Sequence, residues 1–307
     1  MKRIKNLSLP ILCIGLAILS LAGCSKDDST APATNTLQEL VSKDSSLTIF
    51  NAVLKKTHLE TFAKGPGPFT FFAPTNTAYK KININSIADL STIDSNTLVI
   101  QTSWLIAAGV KTSDVLVGSN LTITTLVGTN IFAQALPEAT YFNGLKAVKR
   151  DIIATNGALQ VLDDYLAPTF GTTTITMTKF PDTYKLWSQA IARAGAATVT
   201  AVNRSTTTLL APTNTAMTTA GYDSLTITKT TATELATLVK YHLLGTATYK
   251  YALKSAAYKT DQGTNITFNM GATPPTVTGK NGSAKIILLD FSTSNGVIHT
   301  IDAVLKP

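Results

Sequence analysis

Apolar residues recur every three or four positions at Leu47, Phe50 and Leu54, and again at Tyr184, Trp187 and Ile191. That spacing predicts an amphipathic helix in each place. Short apolar runs at residues 69–73 and 207–211 predict buried strands, each ended by a proline, Pro74 or Pro212, which cannot donate to a ladder. Thr75-Asn76 and Thr213-Asn214 follow, with side-chain oxygens suited to the free amides of a helix start. Residues 97–107 and 233–244 predict a second helix in each half, the latter with Leu235, Leu238, Val239 and His242 on one face. Strand character then dominates: 121–126, 131–133, 146–153 and 159–166, then 265–269, 276–278, 286–290 and 297–305. Asn156-Gly157 and Asn295-Gly296 predict type I′ hairpins between the last two strands of each half. The fold class is α+β, helices first and then an antiparallel sheet closing on itself, written twice.

The duplication is explicit. Phe72-Ala73-Pro74-Thr75-Asn76-Thr77-Ala78 returns as Leu210-Ala211-Pro212-Thr213-Asn214-Thr215-Ala216, a shift of 138. Thr155-Asn156-Gly157 returns as Ser294-Asn295-Gly296 at 139, and Trp104-Leu105 falls opposite His242-Leu243 at 138. A period of this length is domain-sized, so the expectation is a tandem of globular domains rather than a solenoid. The expected boundaries are domains at 37–168 and 178–307 with a linker at 169–177.

The first residues carry a different signal. Lys2, Arg3 and Lys5 precede an apolar stretch from Leu7 to Ala22 that is shorter than a membrane span. Leu21-Ala22-Gly23-Cys24 has the form of a bacterial lipobox, predicting a signal peptide over 1–23, lipidation of Cys24 and a flexible tether over 24–36. Ser25 after the cysteine favours the outer membrane, and Lys26-Asp27-Asp28 resembles a surface-export tag. Cys13 leaves with such a signal, so no disulfide is expected.

Composition narrows the functional classes. Of 307 residues, 44% are hydrophobic and 14% charged, which argues against disorder. Threonine supplies 51 residues, a β-branched excess suited to strands. The net charge of +8 falls to +5 without the signal's three basic residues, and the rest are scattered, so no nucleic-acid partner is expected.

The strings F-T-F-F-A-P-T-N-T-A (69–78) with A-T-N-G-A-L-Q-V-L-D-D-Y-L-A-P (154–168), and T-L-L-A-P-T-N-T-A (208–216) with S-N-G-V-I-H-T-I-D-A-V-L-K-P (294–307), resemble the fasciclin domain. The resemblance implies a β-sheet wedge with helices packed at one end, an extracellular or membrane-tethered setting, and adhesion. It also implies adhesion positions: a Tyr-His pair at Tyr241-His242, replaced by Ser103-Trp104 in the first copy, and an Asp-Ile pair at Asp151-Ile152, where the second copy has Asp290-Phe291. A near-terminal histidine of the family stands at His299 and is Gln160 in the first copy.

Little in the chain points to catalysis. His58, His242 and His299 have no second ligand at metal spacing, and no nucleotide, zinc or hydrolase motif occurs. His242 reads as a structural histidine, His299 as a half-buried one. Asp163-Asp164, as strand neighbours, face opposite ways, and Asp163 and Asp302 read as structural anchors. The expected function is a non-catalytic cell-surface adhesion lipoprotein without cofactors, held to the membrane by its lipid and binding an extracellular protein, matrix or glycan ligand. The alternative is an envelope accessory subunit assisting polysaccharide capture by an outer-membrane complex.

Overall fold

Residues 33–307 are described by a computed structural model, with the side chains of 119 and 120 excepted; the expected signal, Cys24 and the tether up to residue 32 lie outside them. The first module opens with α1 (Leu37–Lys43). Thr36 caps it by accepting from Glu39 N at 3.3 Å, while Glu39 accepts from Thr36 N at 2.7 Å. This reciprocal capping box draws the expected end of the tether into the fold. Helix α2 (Thr48–Lys56) buries Ile49, Phe50, Val53 and Leu54, and α3 (Glu60–Lys64) follows. Then come β1 (Phe69–Pro74), α4 (Asn76–Lys80), α5 (Ser95–Trp104), β2 (Ile106–Ala108), β3 (Gly118–Thr124), β4 (Asn130–Ala135), β5 (Thr140–Phe142), β6 (Leu145–Ala154) and β7 (Gly157–Leu162).

The second module repeats this course with α6 (Thr173–Thr178), α7 (Pro181–Arg193), α8 (Ala196–Asn203), β8 (Thr207–Pro212), α9 (Asn214–Thr219), α10 (Ser224–Lys229), α11 (Ala232–Tyr241) and β9 (Leu243–Leu244). Strands β10 (Ala257–Lys259), β11 (Asn265–Asn269), β12 (Thr276–Gly279), β13 (Gly282–Thr293) and β14 (Gly296–Ile301) complete it. Helix α6 falls within the expected linker. It buries Thr173, Thr176 and Met177, so these residues belong to the second module's body.

Among the described residues each module holds a seven-stranded sheet, ordered β2-β1-β7-β6-β5-β4-β3 and β10-β11-β12-β13-β14-β8-β9. The α+β class holds, with one departure: the first and last strands of each module, β1 with β7 and β8 with β14, pair in parallel. The expectation of a wholly antiparallel sheet is corrected there, because the last strand runs into the middle of the sheet beside the first. The first sheet nearly closes, since Leu126 N donates to Ile106 O at 2.9 Å and Ala107 bridges Thr125.

The Asn-Gly steps do form hairpins, Ala154 pairing with Gly157 and Thr293 with Gly296, but not through type I′ turns. Neither asparagine has a positive φ. The glycine is the first residue of the last strand, and a Cβ there would stand 1.9 Å from Phe69 O at Gly157 and 2.0 Å from Thr207 O at Gly296. The asparagine side chain turns inward. Asn156 Oδ1 accepts from Leu37 N at 2.9 Å and its Nδ2 donates to Ala63 O and Gly65 O at 2.9 and 2.8 Å. Asn295 does the same with Thr173 N at 2.7 Å and with Val202 O and Arg204 O at 3.0 Å each.

The Thr-Asn motif is also half corrected. Thr75 and Thr213 cap α4 and α9 as expected, through Ala78 N and Ala216 N. Asn76 and Asn214 instead reach an earlier helix, α2 or α7: Asn76 Oδ1 accepts from Ile49 N at 3.0 Å, and Asn214 Oδ1 from Leu186 N at 2.9 Å. They join two helices rather than start one.

The first module has one apolar cluster, around Phe50, Phe71 and Trp104, and the second has two, one around Trp187 and Leu209 and one around Phe268 and Ile301. A small fourth cluster crosses between them: Phe132 from the first module with Ala247, Tyr249 and Val297 from the second. Asn156→Ala and Asn295→Ala are each expected to destabilise the protein by about 2–4 kcal/mol, because three buried backbone groups lose their partner at once. Urea unfolding checks this; a loss below about 1 kcal/mol in both would contradict the role assigned to the amide.

Candidate functional site

Asp151 and Asp290 occupy equivalent bulges, in β6 and β13, with φ of 59° and 61°. An aspartate tolerates this left-handed backbone better than most residues. Each carboxylate grips the loop that follows the short strand β2 or β9. Asp151 accepts from Ser113 N at 2.9 Å, Asp290 from Lys250 N at 2.7 Å. The residue opposite on the last strand completes the clamp. His299 Nδ1 accepts from Asp290 N at 3.1 Å, so its Nε2 carries the proton and donates to Thr248 O at 2.9 Å. Gln160 reproduces both bonds with its amide, accepting from Asp151 N at 3.1 Å and donating to Lys111 O at 2.8 Å. Thr70 and Thr208 hold the start of the same loops, donating to Gly109 O and Thr246 O and accepting from Lys111 N and Thr248 N. The acidic pair therefore shapes a loop. Ile152 and Phe291, beside the two aspartates, pack partly buried against their module cores.

The Tyr-His pair is interior. Tyr241 and His242 are both fully buried. Tyr241 Oη accepts from Lys280 N at 2.7 Å; His242 Nδ1 donates to Leu238 O at 2.9 Å and Nε2 accepts from Leu305 N at 3.0 Å. The expectation that these two side chains mark an adhesive surface is corrected: they tie α11 to the sheet and to the chain's last residues. His299 is likewise fully enclosed rather than half-buried. Burial lowers both histidines to about 4 and raises Asp290 to about 6, the Lys250 amide and charge pulling the latter partly back. Asp163 and Asp164 lie just past β7 rather than on it; Asp163 accepts from the Thr75 hydroxyl at 2.7 Å and Asp164 pairs with Lys81 at 2.9 Å. Among the described residues no three acidic, histidine or cysteine side chains are gathered as a metal site.

What the clamp presents is the joint between the modules. The loop held by Asp290 carries Tyr249 and Tyr251. Tyr251 stacks on Tyr141 at 4.0 Å between ring centres, and Tyr249 packs on Phe132 at 6.4 Å. Offset aromatic contact of this kind adds to the burial itself. Asn143 and Gly144, with φ of 48° and 84°, form the receiving turn of the first module. A Cβ on Gly144 would come 2.8 Å from the Tyr249 ring.

Residues 165–170, leading out of the first module, run between two concavities. One, of about 680 Å³, is largely apolar, with Ile82, Ile93, Ile100, Tyr165 and Phe170 in its walls. The other, about 180 Å³, lies at the joint and contains Asn143, Asp290 and Ser292. Sequence reasoning missed this region. Asn143-Gly144 does recur as Asn281-Gly282 at the repeat shift, but nothing in the chain pairs Tyr141 with Tyr251.

A model of the fasciclin domain matches residues 45–168 and again 182–307. Human periostin is 29% identical over 138 residues, 45% of this chain and 16% of periostin. The transforming growth factor-beta-induced protein ig-h3 of pig is 23% identical over 143 residues, 46% of this chain and 21% of that protein. The matched stretches are thus a minor part of these relatives' length. A FAS1 domain pair from the insect cell adhesion molecule fasciclin I aligns with a TM-score of 0.42 at 15% identity, over 84% of this chain and 96% of that one.

Two outcomes follow from the clamp and the joint. Between pH 6.5 and 4 the unfolded chain protonates His242 and His299 while the folded one resists, so acidification through that window removes stability, about 3 kcal/mol per histidine. Asp290 acts oppositely, since the folded state takes up its proton first, below about 6, and it offsets roughly one histidine's share. His299→Gln, copying Gln160, is expected to fold and to flatten the pH–stability curve over this range; an unchanged curve would remove His299 from the account. Gly144→Ala is expected to destabilise the joint by about 1–3 kcal/mol and split thermal unfolding into two steps, as calorimetry would show.

Proposed function

Because this chain belongs to the fasciclin-domain family in both of its halves, we propose that it is a non-catalytic cell-surface lipoprotein that binds extracellular protein, matrix or glycan ligands. The observation that carries this reading is the joint: Tyr141 on Tyr251 and Phe132 on Tyr249 hold two family modules as one body. Recognition then falls to outer surfaces and to the concavities flanking residues 165–170, since the family's signature side chains are occupied inside.

Two modules fixed in one orientation can engage a ligand bivalently only if its two epitopes match their spacing, and the gain in avidity is then large. The anchoring part of the proposal rests on the basic start, the apolar stretch and Leu21-Ala22-Gly23-Cys24. Several acyl chains on one cysteine, at about 0.8 kcal/mol per buried CH₂, hold a protein on a membrane durably.

Three experiments test the proposal. Cys24→Ala is expected to abolish labelling by a fatty-acid analogue and to move the protein from the membrane to the soluble fraction; retention of the label would place the lipid elsewhere. Protease added to intact cells is expected to remove the wild-type protein. The compact unit Ala33–Pro307 is expected to bind matrix proteins or glycans on arrays above background, and silence on both would contradict the binding role.

A further inference from the structure

The larger concavity beside residues 165–170, about 680 Å³, has the size of a small-molecule site. Three apolar side chains of its walls, Ile82, Ile100 and Phe170, are 38%, 57% and 54% exposed. Most polar groups in the walls are already engaged. Asp89 Oδ2 accepts from Asn85 N and Ser86 N at 2.8 and 2.9 Å, and the Thr92 and Thr97 hydroxyls donate to Asp89 O and Asp94 Oδ2. The Thr169 hydroxyl is sealed in, and Asn83 stands out in water. Two half-buried groups are left. Among the described residues neither the Gln101 amide nor the Tyr165 hydroxyl makes a hydrogen bond, and neither is sealed within the protein. Burial pushes Tyr165 up to about 12, so both groups are neutral at ordinary pH.

The second module fills the matching positions. Counted from the capping residues Asp94 and Thr231, Gln101 of α5 aligns with Leu238 of α11. Leu238 is 4% exposed and belongs to the apolar cluster around Trp187. Tyr222, which aligns with Ile84, packs on the same cluster. In the first module the aligned place on the helix holds an amide that packs less and offers both a donor and an acceptor.

The lining narrows the occupant. Among the described residues the walls hold no lysine, arginine or histidine, and Asp89 is their one carboxylate. Neighbouring Lys81 is paired with Asp164 at 2.9 Å. An anionic headgroup therefore meets a like charge and no counter-charge. A cationic one loses its water against apolar walls, facing a carboxylate already shared by two amides. A peptide brings a donor and an acceptor at almost every residue and leaves most of them unpaired here. An aliphatic molecule with one hydroxyl needs no more than the walls leave free.

We propose that this concavity of the first module binds a neutral lipid, an aliphatic molecule ending in a hydroxyl, with its chain against Ile84, Ile93 and Ile100 and its hydroxyl on the Gln101 amide. Such a site adds to the macromolecular binding proposed above and does not depend on it.

The test uses the compact unit Ala33–Pro307, which contains every described helix and strand and needs no detergent. N-phenyl-1-naphthylamine, an uncharged apolar dye, is expected to brighten on binding. 1-Decanol is expected to displace it about tenfold more effectively than decanoate or decylammonium, whose charges resist burial. Ile100→Asp places a carboxylate at an exposed wall position and is expected to weaken both dye and decanol about tenfold or more. Gln101→Leu, copying Leu238, is expected to keep the dye and to lower decanol's affinity relative to it about three- to tenfold, the loss of one hydrogen bond. Thermal melting checks that both variants stay folded, and the comparison of the three amphiphiles needs neither variant. Failure of the wild-type protein to bind the dye overturns the site, as does equal displacement by all three amphiphiles. Dye binding that Ile100→Asp leaves unchanged also overturns it and moves the dye to the second module's apolar hollow of about 460 Å³. Displacement by an apolar peptide and not by decanol overturns it in favour of a protein occupant. Capture of matrix proteins or glycans by the same protein reports separately on the proposed function.

Discussion

A buried asparagine amide, Asn156 in one module and Asn295 in the other, joins three pieces of chain that share no ladder: the opening helix, the end of a later helix and the start of the last strand. The constraint behind it is the parallel pairing of the first and last strands. For β7 to enter beside β1, its first residue must lie against Phe69 O with no room for a Cβ, and Gly157 alone meets that demand. Such a close approach leaves backbone donors and acceptors around the entry point without strand partners. The asparagine supplies them with one acceptor and two donors, all of its capacity on those sides. Remove the amide and three backbone groups lose their partners where helices meet sheet, leaving apolar packing alone to hold that layer in place.

Above that layer, the clamps turn one sheet edge into a displayed loop. A histidine in one module and a glutamine in the other perform the same two-bond task, because both can accept from an amide with one atom and donate to a carbonyl with another. In the second module the loop carries aromatic side chains and becomes the joint; in the first, the corresponding residues include the exposed Val110 and Val115. Duplication thus produced two copies of a loop support, and sequence change at the tips made one of them an intramolecular contact.

Much of this architecture can be read from the chain. Apolar spacing marks α2, α7 and α11, and the repeated strings set the tandem organisation, because such patterns reflect burial directly. What escaped has physical causes. Asn-Gly carries the same letters whether it forms a tight turn or a buried staple, and only the approach of Phe69 O and Thr207 O distinguishes them. Thr173–Thr178 looks like a polar linker because threonine hides its hydroxyl when buried: Thr173 Oγ1 bonds Asn295 Oδ1 at 3.1 Å and Thr176 Oγ1 bonds Gly171 O at 3.2 Å. His242 reads as structural from its apolar helix face, and only the family resemblance suggests an adhesive role for Tyr241-His242; their partners, Lys280 N and Leu305 N, are backbone groups far along the chain that no local pattern reveals. The joint was illegible because it depends on the relative placement of residues more than 100 positions apart, which no local pattern encodes.

The attachment of the first described residues has a mechanical meaning. Asn35 O accepts from Thr155 N at 2.9 Å, and Leu37 N donates to Asn156, so the chain enters the protein at the hairpin joining β6 and β7. Those strands lie at the centre of the first sheet, flanked on both sides. Tension applied along the preceding segment therefore arrives at the best-secured strands and not at a frayed margin, and peeling would have to break the asparagine staple before any edge strand is pulled. A load entering at Asn35 and Leu37 thus meets the interior of the first sheet before any of its margins.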